Sequence, residues 1–175
     1  LVHLCPTLYA AAGYGSEEAT RANARLAEVV ERMGDRPELF EARWAMVMNT
    51  IANAGSRLVP PRARLLVPLA GDDPLRGQAA HYAVADAAFW LGEFGETRDH
   101  TGAALALYRP EQHPQLLERF GEDLSVSCAA YLAWSRHFLG ESALARETAA
   151  AMLAKARALD HPHTLALALC FAAVL

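Results

Sequence analysis

The sequence predicts an all-α chain of about four antiparallel helix pairs. Three observations predict it. Alanine and leucine, both strong helix formers, supply much of a hydrophobic content of 53%. The β-branched residues are scattered and form no strand-like run. Glycine and proline cut the chain into helix-length pieces with short connections, which makes neighbouring helices antiparallel.

Taken in order, a first helix is expected over Val2 to Ala12, ended by Gly13-Tyr14-Gly15. Ser16 caps a second, whose first turn holds Glu17 and Glu18, favourable at the positive end of the helix dipole. Leu26, Val29, Val30 and Met33 form its apolar stripe, and Gly34 ends it. Asp35 and Glu38 stand at capping-box spacing around Pro37 and open a third helix to about Ala54, with Phe40, Trp44, Val47, Met48 and Ile51 apolar. A fourth follows Gly55, starts near Pro60 and Pro61, and carries Ala63, Leu65, Leu66 and Leu69. Asp73-Pro74 opens a fifth, reaching about Leu91; after Gly92 and Gly95 a sixth continues to about Tyr108. The stretch from Arg109 to Gly121, with two prolines, leaves room for one turn around Leu116 to Phe120. A seventh helix spans Leu124 to Leu139. Ser142 caps an eighth, which runs to Leu159, and Asp160-His161-Pro162 opens a ninth.

The chain has 175 residues, enough for one domain. Its net charge of -4, without a basic stripe interleaved with aromatics, speaks against direct nucleic-acid binding. Cys5, Cys128 and Cys170 are too few and too far apart for a disulfide framework, so buried thiols in a reducing, cytoplasmic setting are expected. The longest apolar run, Leu165 to Leu175, falls short of the roughly 20 residues that span a bilayer. The chain opens without methionine and stops inside that run, so it is expected to be a section of a longer multidomain protein. An apolar, uncapped last helix should seek another surface, which predicts self-association through it.

Aligning Gly55, Gly92 and Gly140 exposes a repeat. Seven residues earlier stand Met48, Ala85 and Ala133; twelve later stand Val67, Ala104 and Met152. Trp44 precedes Gly55 by eleven, and Ala145 follows Gly140 by five, where Pro60 and Thr97 stand in the other two units. This pattern resembles the tetratricopeptide repeat and implies an α-α superhelix, or solenoid, with small residues at the helix crossings. A second resemblance covers nearly the whole chain. Its signatures are Gly13-Tyr14-Gly15 with Glu17-Glu18, Leu91-Gly92-Glu93-Phe94, the run Leu107-Tyr108-Arg109-Pro110-Glu111-Gln112-His113, Gly121-Glu122-Asp123 before Cys128-Ala129-Ala130-Tyr131, and His161-Pro162-His163-Thr164-Leu165. These are similar to the repeat region of large bacterial signalling proteins. In those, a STAND-type ATPase module precedes the repeats, and an adenylate/guanylate cyclase, a kinase or a LuxR-type DNA-binding domain is attached. The resemblance implies a sensor or scaffold, since this chain carries no phosphate-binding loop and no paired cyclase aspartates.

No catalytic order is defensible from the residues. Ser125, Ser127, Cys128 and His137 share a predicted helix, but nothing marks Cys128 as a thiolate. His161 and His163 lack a third zinc ligand at a recognisable spacing. His81, Asp86, Asp99 and His100 could converge between helices, or line a solvated face. Glu17, Glu18, Glu38 and Glu41 follow helix starts, where the dipole accounts for them. No metal, cofactor or substrate turnover is expected. The tetratricopeptide resemblance implies that the first helix of each pair lines a concave groove. Mapped onto this chain, the groove positions are Ala45, Asn49 and Asn53; Tyr82, Asp86, Phe89 and Trp90; and Ala130, Trp134, His137 and Phe138. Such aromatics with a few polar groups suit a peptide or protein partner, or else pack between adjacent repeats. Asn49, Asn53 and Asp86 are its expected polar members, because burial without a partner would be costly. The expected function is protein interaction, relaying a signal to neighbouring modules of the parent chain. The alternatives are a small-molecule sensor around Tyr82, Trp90 and Trp134, and a structural oligomerisation spacer.

Overall fold

A computed structural model describes residues 15–34, 36–53 and 59–173, and every regular element among them is helical. The helix expected over Val2 to Ala12, Asp35 and Cys5 lie outside the described residues. The α-helices are α1 (Glu17–Met33), α2 (Phe40–Ala52), α3 (Val59–Leu69), α4 (Pro74–Phe89), α5 (Phe94–Leu107), α6 (His113–Phe120), α7 (Leu124–Phe138), α8 (Ser142–Ala158) and α9 (Pro162–Ala172). Short 3-10 turns, Pro37–Leu39 and Pro110–Gln112, precede α2 and α6.

The starts follow from local chemistry. Ser16 accepts from the Ala19 amide at 3.2 Å and begins α1. Asp73 accepts from the amides of Leu75 and Arg76 and begins α4, with Pro74 in its permitted first turn. Three expectations are corrected. α2 begins at Phe40, after its 3-10 turn, rather than at the turn of Pro37, and Leu39 stands at its N-cap without a side-chain bond; the capping box expected of Asp35 lies outside the described residues. Ser142 is the first residue of α8, whose N-cap is Glu141. The stretch after Arg109 holds a full eight-residue helix, α6, because Pro114 falls in its first turn, where a missing N–H breaks nothing. Leu116 and Phe120, four apart on α6, are completely buried. The α1 stripe also rotates: Ala19, Ala22, Leu26 and Val30 face the core, while Met33 is exposed.

Successive helices pack on one another from α1 to α5 and from α7 to α9, α4 on α5 and α7 on α8 most closely, while α2 packs on α4, α4 on α7, and α5 on α7; α6 instead packs on α2. One core cluster runs from Ala19 to Tyr131; a smaller one, around Val126, Ala130, Met152, Ala156 and Ala168, joins α7, α8 and α9. Most of the small-residue positions are buried, Ala85, Ala104, Ala133 and Ala145 completely, Met48 and Met152 nearly so, whereas Val67 is half-buried. At the α4–α5 contact, the buried Thr97 hydroxyl is shared between the carbonyls of Ala85 (3.3 Å) and Glu93 (3.1 Å). That bonding lets a polar residue occupy a place where alanine was expected. Trp44 reaches from α2 to donate to the Ala79 carbonyl of α4 at 3.0 Å, its ring 4.9 Å from that of Phe120.

An ion cluster pins α6 in place. Arg119 bonds the carboxylates of Glu41 and Asp73, and Arg76 donates to Glu41 at 3.1 Å. Burial pushes the Glu41 carboxyl up, but its bonds to Arg76 and Arg119 outweigh that and hold it below the ordinary value. Glu41 is therefore a cross-link among α2, α4 and α6, beyond the helix-dipole role expected for it.

Candidate functional site

Two helices end in the same way. Trp90-Leu91-Gly92-Glu93 follows α4, and Phe138-Leu139-Gly140-Glu141 closes α7. In both, the glycine is left-handed, φ 80° and 85°. The glutamate amide reaches back to the helix, Glu93 to the Ala88 carbonyl at 3.0 Å and Glu141 to that of Arg136 at 2.8 Å. This is the Schellman closure, which places the residues before the glycine at the rim of the helix end. Trp90 and Phe138 are each 56% exposed, Leu91 and Leu139 each 41%. Phe89 joins the two ends: its ring lies 5.5 Å from Trp90, 5.5 Å from Phe94 and 6.1 Å from Phe138, and Phe94 stacks on Phe138 at 4.6 Å. The result is a continuous aromatic edge with four large apolar side chains open to solvent, where a soluble surface would be polar.

Beneath this edge lies Asp86, buried on α4. Trp90 donates its indole N–H to Asp86 at 2.9 Å, and the Tyr131 hydroxyl donates to the same carboxyl. Burial pushes the Asp86 carboxyl up to about 7, the two donors pull it down, and the negative field of Glu122 adds to the rise. Burial also raises the Tyr131 phenol, and Asp86 raises it further. The tryptophan is thus oriented by a buried acid.

The expected groove residues divide. Trp90, His137, Phe138 and Asn53 are exposed; Asn49, Tyr82, Asp86 and Phe89 are buried. Asn53 donates to the Asn49 carbonyl at 2.8 Å, and both amides reach toward Thr20 of α1. Trp134 is half-buried and donates to the Phe171 carbonyl at 2.9 Å, joining α7 to α9. Tyr82 packs against Tyr131, ring centroids 6.1 Å apart. The groove reading thus omitted Leu91, Leu139, Phe94 and Tyr131, although the repeated aromatic-Leu-Gly-Glu string was present in the sequence.

Two polar groups lie elsewhere. His81 and His100 meet between α4 and α5, Nδ1 to Nδ1 at 2.9 Å; Asp86 does not join them, and Asp99 turns to Arg98 at 3.3 Å. At the start of α7, the completely buried Asp123 accepts from the Ser125 amide at 3.0 Å, the Ser125 hydroxyl and the Tyr108 hydroxyl, and pairs with His113 Nδ1 at 2.7 Å. Glu122 accepts from the Ser127 hydroxyl. These bonds fasten the connection after α5 onto α7. Burial, reinforced by Glu122 and Asp123, pushes the nearby Cys128 thiol up, the opposite of an activated nucleophile. Among the described residues, no three or more His, Cys, Asp or Glu side chains are placed to hold a metal ion, and no helix is long and apolar enough to cross a membrane. Comparison with protein-family models, with curated proteins and with solved structures found no match.

Proposed function

We propose that this chain is a cytoplasmic, tetratricopeptide-like superhelical repeat region that docks a protein partner along its aromatic edge. In this reading it relays docking to neighbouring modules of a larger bacterial signalling protein, of the ATPase- and cyclase-bearing kind that its signatures resemble. The small buried residues at equivalent positions of the helix pairs, and the successive packing of α1 to α5 and of α7 to α9, support the repeat reading. The observation that carries the docking reading is the recurrence of an exposed aromatic-leucine pair at two successive helix ends. Rigid aromatic anchors held by a scaffold are the usual centre of protein interfaces. Chemistry on a substrate is not part of the reading; the buried acids Asp86, Glu122 and Asp123 are each bonded to side chains around them.

A photo-crosslinking amino acid at position 90, and separately at 138, tests it in source lysate. The expected result is one shared protein captured from both positions, displaced by excess unlabelled wild-type chain but not by the Trp90→Ser/Phe138→Ser double variant. Displacement by the double variant as effective as by wild type would end the docking proposal. The exposed Leu169 and Cys170 of α9 support a second contact, self-association through that helix. Light scattering that shows only monomer at high concentration would rule it out.

A further inference from the structure

We propose that the His81–His100 pair is a proton-operated latch between α4 and α5, which holds with no proton or one proton added and releases with two. The contact is nearly end to end: the Nδ1 atoms are 2.9 Å apart, with ring centroids at 5.0 Å and planes tilted by 43°. Only one hydrogen fits between the two nitrogens. In the neutral pair, one ring carries its proton on Nδ1 and donates it to the lone pair of the other. A first added proton goes to Nε2 of the donor ring, leaves the contact intact, and makes it charge-assisted. A second can go only to the accepting Nδ1. Two N–H groups then face each other across 2.9 Å on two cations, and the contact must open.

The surroundings do not relieve this repulsion. Both rings are half-buried, and burial disfavours charge on each. Among the described residues, the charged group acting on His81 is His100 itself. His100 feels Glu96, then Arg64, then Asp99. Arg64 of α3 and Glu96 of α5 are bonded to each other at 2.8 and 2.9 Å, so their fields largely cancel. Asp99 is mostly exposed and pairs with Arg98. Both imidazoles are thereby held below their ordinary value. The unfolded chain then binds more protons than the native one. The latch contributes fully above the ordinary histidine value of 6.5, and that contribution is lost below it, as the pH falls far enough for the pair to take up its second proton. α4 ends at the aromatic edge, so the α4–α5 pair is where acidification would loosen the molecule. This inference does not depend on the docking reading.

The test is a histidine NMR titration of the whole chain in the presence of a chelator, with native-state amide exchange followed at about pH 7.5 and about pH 5. An Asp86→Asn background removes the titration of the buried acid. Two separate uptake steps for His81 and His100 are expected. Protection in α4 and α5, after correction for intrinsic rates, should fall about tenfold or more between the two conditions. In His100→Gln, whose amide can still meet His81 without a second charge, most of that fall should vanish. Independent, superimposable titrations of the two rings would overturn the latch, as would an undiminished fall in His100→Gln. If that variant does not fold, the titration of the parent chain decides alone.

Discussion

Replacing Asp86 by asparagine should stabilise the chain at alkaline pH while leaving the Trp90 anchor in place. The buried carboxyl moves from an ordinary 3.8 to about 7, roughly three pH units. At about 1.4 kcal/mol per unit, the native state would give up about 4 kcal/mol by ionising Asp86 without water. The sign follows from the direction of the shift. Between these two values the folded chain keeps a proton that the unfolded chain has released. Stability therefore declines as pH rises through this window and is lowest above it. Asparagine carries no charge, and its carbonyl can still accept from the Trp90 indole and the Tyr131 hydroxyl. Its amide needs an acceptor of its own, which costs about 1–3 kcal/mol if none is found. The net expectation is a gain of about 1–3 kcal/mol at pH 8.5 and none, or a small loss, at pH 5. Urea unfolding followed by far-UV circular dichroism at both values measures the difference, and subtracting wild type from variant removes every titration common to the two. A pH-independent difference, or a variant less stable at pH 8.5, would refute the account of Asp86 as a carboxyl whose burial outweighs its two donors.

Two further outcomes follow from named contacts. Glu41→Gln should cost about 2–4 kcal/mol at pH 7, because it leaves Arg76 and Arg119 half-buried beside a neutral amide. Glu41 is held below its ordinary 4.5, so the wild-type advantage is present above that value and disappears on acidification; equal penalties at pH 7 and pH 3 in urea melts would contradict it. Asp160 closes α8 with φ 49°, where the comparable helix ends carry glycine. Asp160→Gly should therefore gain about 0.5–1 kcal/mol and raise the melting temperature, whereas Gly140→Ala should lower it by a similar or larger amount.

Local signals and their tertiary consequences were unequally readable. Ser16 before two glutamates, and Asp73 before Pro74, announce helix starts through contacts two or three residues away, and both behave as caps in the structure. The α4 and α7 bounds came within two residues for the same reason. α6 is longer than its two prolines suggest, because Pro114 falls in the first turn, which tolerates it. The site was read less well. Groove positions taken from repeat geometry cannot separate Phe89, buried under its neighbours, from Trp90, open to water, since the two differ only in which side of the helix end they leave. The Glu41–Arg119 bond spans 78 positions and has no sequence signature at all.

The α6 segment bears on how this chain could be shortened or recombined. Helix pairs that touch only their neighbours can be deleted or transplanted as units. Here Phe120 closes over Trp44, Arg119 binds acids at the starts of both α2 and α4, and Asp123 gathers Tyr108 and His113 onto α7. Excising residues 109–121 would open the face of Trp44 and take Arg119 away from two carboxylates in the preceding pairs, leaving Arg76 as their remaining cation. Modularity is thus interrupted at this point, and any chimaera that cuts between α5 and α7 must carry α6 with the helices before it.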